Sequence, residues 1–155
     1  GAGMTFLLGC RLSERISAIG AVGGAYTYPL DRCEPARPVP MIAFHGNADP
    51  IVPYYGGPSR DFDFPFPSIP VWMKQRASLN GCDPTPSLLP PSGSVTGVRY
   101  SDCDADAEVI FYTIDGGGHT WPGGKPLPER ITGETNMDIS ASETIWEFFQ
   151  QYTLP

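Results

Sequence analysis

Apolar residues recur along the chain with two spacings, which indicate alternating helices and strands. Helical spacing predicts helices over residues 3–12, 69–79 and 140–152. Short, nearly continuous apolar runs predict strands over residues 16–22, 40–45, 98–101 and 108–114. The last two strands flank Cys103 and could form a hairpin. This order of elements predicts an α/β fold with a mainly parallel sheet and flanking helices.

Gly, Pro and Ser cluster between these segments and predict turns and long loops. The loops predicted in this way cover residues 29–40, 53–67, 87–96 and 121–136. Ser140 and Glu143 form a capping box that marks the start of the last helix. Trp72 and Trp146 fall on predicted helices and are expected in the core. Neither a repeat nor a linker divides the chain, so we expect residues 1–155 to form a single domain unit.

Composition and charge narrow the class of function. The net charge of −7, with only 10 Lys and Arg residues, argues against nucleic-acid binding through phosphates. No apolar run approaches the roughly 20 residues of a membrane helix. The low charged fraction of 17%, the many Pro and Gly residues and the four cysteines are typical of an exported protein. We therefore expect a secreted or periplasmic protein that binds neither nucleic acid nor membrane.

Two polar residues follow predicted strands, at the carboxyl ends where open α/β sheets collect functional groups. Asp49 comes after the strand that ends at His45, and His119 follows a strand and three glycines. An Asp that orients a His general base is two-thirds of a hydrolase triad, and Asp before His is the α/β-hydrolase order. Taken singly, Asp49 could be a turn residue and His119 a structural hydrogen-bonding residue. His45 is interpreted as a core or supporting histidine.

Two segments carry a resemblance to a known family. Residues 44–54, FHGNADPIVPY, resemble the catalytic-acid segment of secreted polyhydroxybutyrate depolymerases and feruloyl esterases. Residues 116–124, GGGHTWPGG, resemble the catalytic-histidine segment of the same family. The match continues in register over nearly the whole chain. It implies the C-terminal half of an α/β-hydrolase fold and a carboxylic ester hydrolase in which Asp49 is the acid and His119 the base.

The cysteines take part in the same resemblance. The segment Asn80-Gly81-Cys82, together with Cys103, is similar to the family and implies a Cys82–Cys103 disulfide. Cys10 and Cys33 are then the remaining pair. The residues by themselves leave three connectivities or free thiols open.

Aromatic residues near the two motifs could line a pocket for an acyl or aryl group. Trp121 lies two residues from His119 and is assigned to the pocket wall. Ile51 and Tyr54 are the other substrate-binding residues that we expect. Four further aromatic residues of the loop predicted at residues 53–67 could line the pocket or pack against one another: Tyr55, Phe62, Phe64 and Phe66.

We expect no metal and no cofactor. The chain has no Cys-x-x-Cys motif and only two histidines, which argues against zinc. Asp102, Asp104 and Asp106 resemble the start of a calcium loop, but Ala107 stands where glycine is needed and Thr113 where a bidentate Glu is needed. A solvated acidic turn is the better interpretation.

The first residues depart from the family pattern. Residues 1–6, GAGMTF, resemble the stretch that begins with the last glycine of a Gly-x-Ser-x-Gly elbow, so the nucleophilic serine would lie two residues before Gly1. The 155 residues contain no such motif, and Ser94 has the wrong spacing. We therefore expect a partial domain that lacks the N-terminal strands and the elbow and is inactive by itself.

A partial domain has a physical consequence. The strand predicted at residues 16–22 would be an unprotected apolar edge, which invites pairing. We expect it to pair with the missing half of the same enzyme or with a second copy. Two alternatives remain: a catalytically inactive half-domain that acts as a binding or structural module, and a hydrolase that takes its serine from a partner chain.

Overall fold

Five strands form one mixed sheet, with helices packed on both of its faces. The computed structural model describes residues 1–59 and 62–154. The helices are α1 (Ala2–Arg11), α2 (Ile69–Leu79), α3 (Glu129–Thr132) and α4 (Ala141–Phe149). The strands are β1 (Ile19–Val22), β2 (Met41–Gly46), β3 (Ser87–Ser92), β4 (Val95–Tyr100) and β5 (Val109–Ile114). The α/β class predicted from the sequence is therefore confirmed.

The strand order in the sheet is β1-β2-β5-β4-β3. β1, β2 and β5 run parallel, whereas β4 pairs antiparallel with β5 and with β3. The prediction of a mainly parallel sheet was therefore wrong, and the sheet is mixed. Short connections join β3 to β4 and β4 to β5, and such connections favour antiparallel neighbours, because a parallel pair needs a longer crossover.

The segment at residues 87–96, predicted as a loop, instead forms β3 and the start of β4. Its prolines, Pro90 and Pro91, had suggested irregular structure, but β3 is an edge strand, where a missing N–H is tolerated. Gly93 makes the turn with φ of +55°, a conformation that favours glycine. The antiparallel pairing of β4 with β5 agrees with the predicted hairpin around Cys103.

Most of the other elements agree with the predictions within a few residues. β1 begins at Ile19, later than predicted, and the short helix α3 lies inside a predicted loop. The predicted cap of α4 is present, since the Glu143 N–H donates to Ser140 Oγ at 3.3 Å. No helix in residues 1–59 and 62–154 is long and apolar enough to cross a membrane.

One face of the sheet is covered by α1 and α2 around an aromatic cluster. The ring of Trp72 stacks on Tyr26 with a centroid distance of 3.8 Å, and Phe6 meets Trp72 edge-on at 4.7 Å. All three side chains are buried. The expectation that Trp72 lies in the core is confirmed.

The other face of the sheet is covered by α4. This helix buries Ala141, Ile145 and Phe148, which share one face at helical spacing. Trp146 is 62% exposed, so its expected place in the core was wrong. The reason is geometric: Trp146 follows Ile145 directly and is turned by about 100° away from the sheet, since a helix has 3.6 residues per turn.

Two disulfides connect the segments around the sheet. Cys10–Cys33 joins the end of α1 to the loop before β2, and Cys82–Cys103 joins the end of α2 to the connection between β4 and β5. The pairing implied by the family resemblance is thereby confirmed.

Removing the second disulfide should destabilise the fold measurably. It closes a loop with a sequence separation of 21. A cross-link over a loop of that size removes conformational entropy from the unfolded chain and so raises the free energy of unfolding by about 3 kcal/mol. The variant with Cys82→Ala and Cys103→Ala should lose about this free energy of unfolding in urea. Reduction of the wild type should cost more, because it also opens Cys10–Cys33. Equal urea midpoints for the double variant and the oxidised wild type would contradict the prediction.

Candidate active site

Asp49 and His119 meet at one edge of the sheet. β2 and β5 are parallel neighbours, so the segments that follow Gly46 and Ile114 emerge side by side. His119 Nδ1 donates a hydrogen bond to Asp49 Oδ2 at 2.8 Å. The structure thus brings together the two residues that the sequence predicted as acid and base.

Direct contacts between the two loops fix this approach. A Cβ on Gly46 would lie 2.0 Å from the Gly117 carbonyl oxygen, so only glycine fits there. Asn47 Nδ2 donates to Asp115 Oδ1 at 2.7 Å, and Asn47 Oδ1 accepts from the Gly116 N–H at 2.8 Å. Asn47 therefore holds the turn that carries Asp49 against the loop that carries His119, here called the histidine loop (residues 115–119). Sequence reasoning missed this role, although a turn Asn directly after the strand-ending glycine is its signal.

The histidine loop is also held from the side of α3. The Gly118 N–H donates to the Glu134 carbonyl at 2.9 Å, and the His119 N–H donates to the Thr132 carbonyl. A Cβ on Gly118 would lie 2.1 Å from that Thr132 oxygen. Gly118 is therefore needed so that two backbone segments can touch just before His119.

Asp49 is a buried carboxylate surrounded by donors. Its Oδ1 accepts the Ile51 and Val52 N–H groups, both at 2.8 Å. Its Oδ2 accepts from His119, and His45 Nε2 lies 3.3 Å from the same oxygen. Burial by itself raises the pKa of Asp49, but the hydrogen bonds from His119, His45 and Val52 outweigh it and hold the pKa well below its ordinary value. Asp49 is ionised at neutral pH.

His119 is oriented at one nitrogen and open at the other. Because Asp49 can only accept, Nδ1 carries the proton of this hydrogen bond, which leaves Nε2 as the nitrogen available to exchange a proton. Gly23 lies against the ring, where a Cβ would come within 3.1 Å of Cε1 and Nδ1. In the described part of the chain, no residue gives Nε2 a hydrogen bond. This arrangement suits a general base.

A cavity of about 400 Å³ opens beside His119. Its wall combines the first turn of α1, the end of β1 and three side chains that matter for an apolar ligand: Ile51, Phe62 and Trp121. Trp121 also borders an adjoining cavity of about 200 Å³ together with Leu127. Ile51 and Trp121, two of the predicted substrate-binding residues, thus share the cavity with His119.

Tyr54, the third predicted substrate-binding residue, is not among the described residues that line this cavity. Its side chain is buried, its hydroxyl shares a 2.7 Å hydrogen bond with Thr113 Oγ1, and its ring stacks on Phe111. Burial raises the pKa of Tyr54 despite that hydrogen bond. Tyr54 therefore supports the loop after Asp49 from inside the core.

The aromatic loop serves both packing and the cavity. Phe66 is buried, and the rings of Phe62 and Phe64 contact it at centroid distances of 5.3 Å each. Phe62 also lines the cavity, although the sequence did not single it out from its neighbours. Trp121 is fixed by its indole N–H, which donates to Ser142 Oγ at 3.0 Å.

The described residues contain no group of three or more His, Cys, Asp or Glu side chains that could hold a metal ion. The acidic turn from Asp102 to Asp106 is instead marked by left-handed backbone at three residues: Asp102, Ala105 and Asp106.

Comparison with known proteins shows that the chain is similar to feruloyl esterases. No protein-family profile matches the chain. The chain is 29% identical to feruloyl esterase B of Piromyces equi over 163 residues, which cover 100% of this chain and 26% of that protein. It is 30% identical to feruloyl esterase C of Emericella nidulans over 96% of this chain and 46% of that protein. Feruloyl esterase D of Neurospora crassa is 27% identical, with 98% and 45% covered.

The chain therefore spans less than half the length of each of these three relatives. Its homologues include feruloyl esterases along nearly all of its length. The resemblance stated from the sequence motifs is confirmed as homology to feruloyl esterases.

The Asp49 environment predicts how stability depends on pH. A carboxylate with a depressed pKa stabilises the fold above its unfolded pKa of about 3.9, and this contribution is lost as the pH falls through the folded pKa. Asp49→Asn should therefore be clearly less stable than the wild type at pH 7, and the difference should shrink below about pH 4. Urea unfolding at pH 7 and pH 3 measures both differences.

The exposed Asp63 supplies a matched control, because Asp63→Asn removes a carboxylate without buried donors. It should leave the free energy of unfolding nearly unchanged at both pH values. A deficit in Asp49→Asn that stays the same from pH 7 to pH 3 would show that the carboxylate is not stabilised by its donors.

Proposed function

We propose that this chain supplies the acid and the general base of a Ser–His–Asp carboxylic ester hydrolase, and that the nucleophilic serine comes from a segment preceding Gly1. The observation that carries the proposal is the 2.8 Å hydrogen bond from His119 Nδ1 to a buried, ionised Asp49, with His119 on the wall of an open cavity. Homology to feruloyl esterases supports the same chemistry.

The reaction then runs in two halves. His119 Nε2 removes the proton of the serine hydroxyl as its oxygen attacks the ester carbonyl, and returns that proton to the alcohol oxygen as the C–O bond breaks. An acyl-enzyme remains. His119 next takes a proton from water, whose oxygen attacks the acyl carbon, and gives it to the serine oxygen as the acid leaves. Asp49 stabilises the imidazolium that forms in each half.

The position of α1 supports a serine just before Gly1. Gly1, Ala2, Gly3 and Thr5 line the cavity together with His119. Thr5 carries the one side-chain hydroxyl among the described lining residues, and it donates to the Gly1 carbonyl at 3.3 Å. A residue preceding Gly1 would enter this cavity beside the base. The free N–H groups of the first turn of α1 would also favour a developing oxyanion.

The cavity favours an ester with an apolar acyl group. Its volume of about 400 Å³ falls in the range of small-molecule sites, and Ile51, Phe62 and Trp121 offer apolar surface. Among acetyl, short-chain, hydroxybutyrate and feruloyl esters, the two aromatic walls and the names of the homologues favour feruloyl esters. No cofactor takes part in this scheme.

Kinetics of the longer protein tests the proposal. The longer protein, in which the natural preceding segment is joined to Gly1 of this chain, should hydrolyse methyl ferulate and p-nitrophenyl acetate. His119→Ala should lower kcat by on the order of 10³-fold or more, because the serine loses its base. Tyr55→Phe, at an exposed residue, is the control and should keep the activity. Turnover of p-nitrophenyl acetate by the 155 residues alone, blocked by a serine-directed phosphonate, would contradict the assignment of the serine.

The sheet edge supports pairing with further strands. β1 has a partner strand on one side only within the described residues. Next to it, α1 and the residue that ends it expose three apolar side chains at a spacing of four residues: Met4, Leu8 and Leu12. In the proposed longer protein, the preceding strands cover this surface. In the absence of those strands, a second copy covers it, and this same surface would serve the alternative function of a catalytically inactive binding or structural module.

The isolated 155-residue chain should therefore self-associate. Light scattering after size-exclusion chromatography should give an average molar mass that rises with protein concentration. Leu8→Glu should reduce that rise, because it places a charge among the exposed apolar side chains of α1. Val71→Glu, at another exposed apolar residue on α2, should leave it unchanged. A sharp monomer peak at all concentrations would contradict the pairing.

The two disulfides support a location outside the reducing cytosol. The described residues contain no free cysteine. We place the protein in the secreted or periplasmic space.

A further inference from the structure

Asp49 has a second imidazole neighbour, which the triad does not require. His45 lies near the end of β2 and is only 2% exposed. Its Nε2 is 2.9 Å from the Val52 carbonyl oxygen and 3.3 Å from Asp49 Oδ2. Because both of these oxygens can only accept, Nε2 carries a proton that the two oxygens share.

The other nitrogen of His45 settles the tautomer. Nδ1 is buried and has no hydrogen-bond partner among the described residues. A proton on Nδ1 would therefore be buried without an acceptor among these residues, which is costly. His45 thus donates through Nε2 alone, toward the loop that follows β2.

This donor is shared by two acceptors on the loop that follows β2. The Val52 carbonyl oxygen and Asp49 Oδ2 both lie within reach of the same N–H. Asp49 Oδ1 is already fixed by the N–H groups of Ile51 and Val52. Without His45, Oδ2 would keep only His119 as a partner, and the buried Val52 carbonyl oxygen would lose the imidazole N–H that it accepts.

We propose that His45 is a positioning residue for the proposed hydrolysis: it holds Asp49 Oδ2 where His119 Nδ1 needs it and carries no proton to or from the substrate. This inference rests on the proposed function for its catalytic part. Its structural part concerns only the Asp49–His119 hydrogen bond and can be measured separately.

A matched pair of amide substitutions tests the role. In His45→Gln the amide nitrogen reaches about as far as Nε2, whereas in His45→Asn it stops near the position of Nδ1. Both variants are polar and smaller than histidine, so they differ mainly in whether the donor reaches Asp49. Phe44→Leu, at a fully buried neighbour on β2, controls for general loosening of the strand.

Two readouts apply to each variant of the longer protein. The first is the downfield proton resonance of His119 Nδ1–H, identified by its loss in His119→Ala. We expect it to shift or broaden in His45→Asn and to stay near the wild-type position in His45→Gln and Phe44→Leu. The second is hydrolysis of methyl ferulate, where His45→Asn should lower kcat by on the order of 10-fold or more with little change in KM. His45→Gln should keep most of the wild-type kcat.

The outcomes separate the two proposals. If His45→Asn keeps both the wild-type resonance and the wild-type kcat, the role of His45 is overturned and the hydrolase proposal stands. If the resonance responds as expected but no variant or wild type hydrolyses esters, the proposed function fails and the positioning of Asp49 by His45 stands. Equal losses in Asn, Gln and Phe44→Leu would overturn the inference in favour of a purely structural role.

Discussion

The buried carboxylate of Asp49 is the group on which the candidate site depends. A charge taken out of water is stable only when donors replace its hydration. Here the donors come from three places: the Ile51 and Val52 N–H groups of its own turn, His45 on β2, and His119 after β5. The hydrogen bonds to this one carboxylate therefore join a strand, a turn and a neighbouring loop into a single arrangement, and they orient His119 through Nδ1.

The sheet makes this convergence possible. Parallel pairing of β2 with β5 places their carboxyl ends together, and Gly46 allows the two loops to touch at the Gly117 carbonyl. β4 and β3 extend the sheet on the side away from β1. On the opposite side, β1 has no further partner strand among the described residues and α1 exposes apolar side chains. This is the side from which we propose that the preceding segment supplies the nucleophile.

The sequence predicted the elements that carry a local signal. Periodic apolar residues located α2 and α4, and two motif-like turns after strands located Asp49 and His119. The predictions were wrong where the structure of a segment depends on partners that are distant in the sequence. Pro90 and Gly93 look like a loop locally, and only the place of β3 at the sheet edge makes them strand and turn. Likewise, an aromatic residue near a motif can point either way: Tyr54 turns into the core to meet Thr113, whereas Phe62 reaches the cavity.

We propose that His119 acts as the base for a serine that lies outside these 155 residues. Labelling of the longer protein with a fluorophosphonate, followed by mass-spectrometric mapping of the modified peptide, tests it most directly. We expect a single labelled serine two residues before Gly1, with a labelling rate that falls sharply in His119→Ala. A label on a serine or threonine within this chain, or a labelling rate that His119→Ala leaves unchanged, would contradict it.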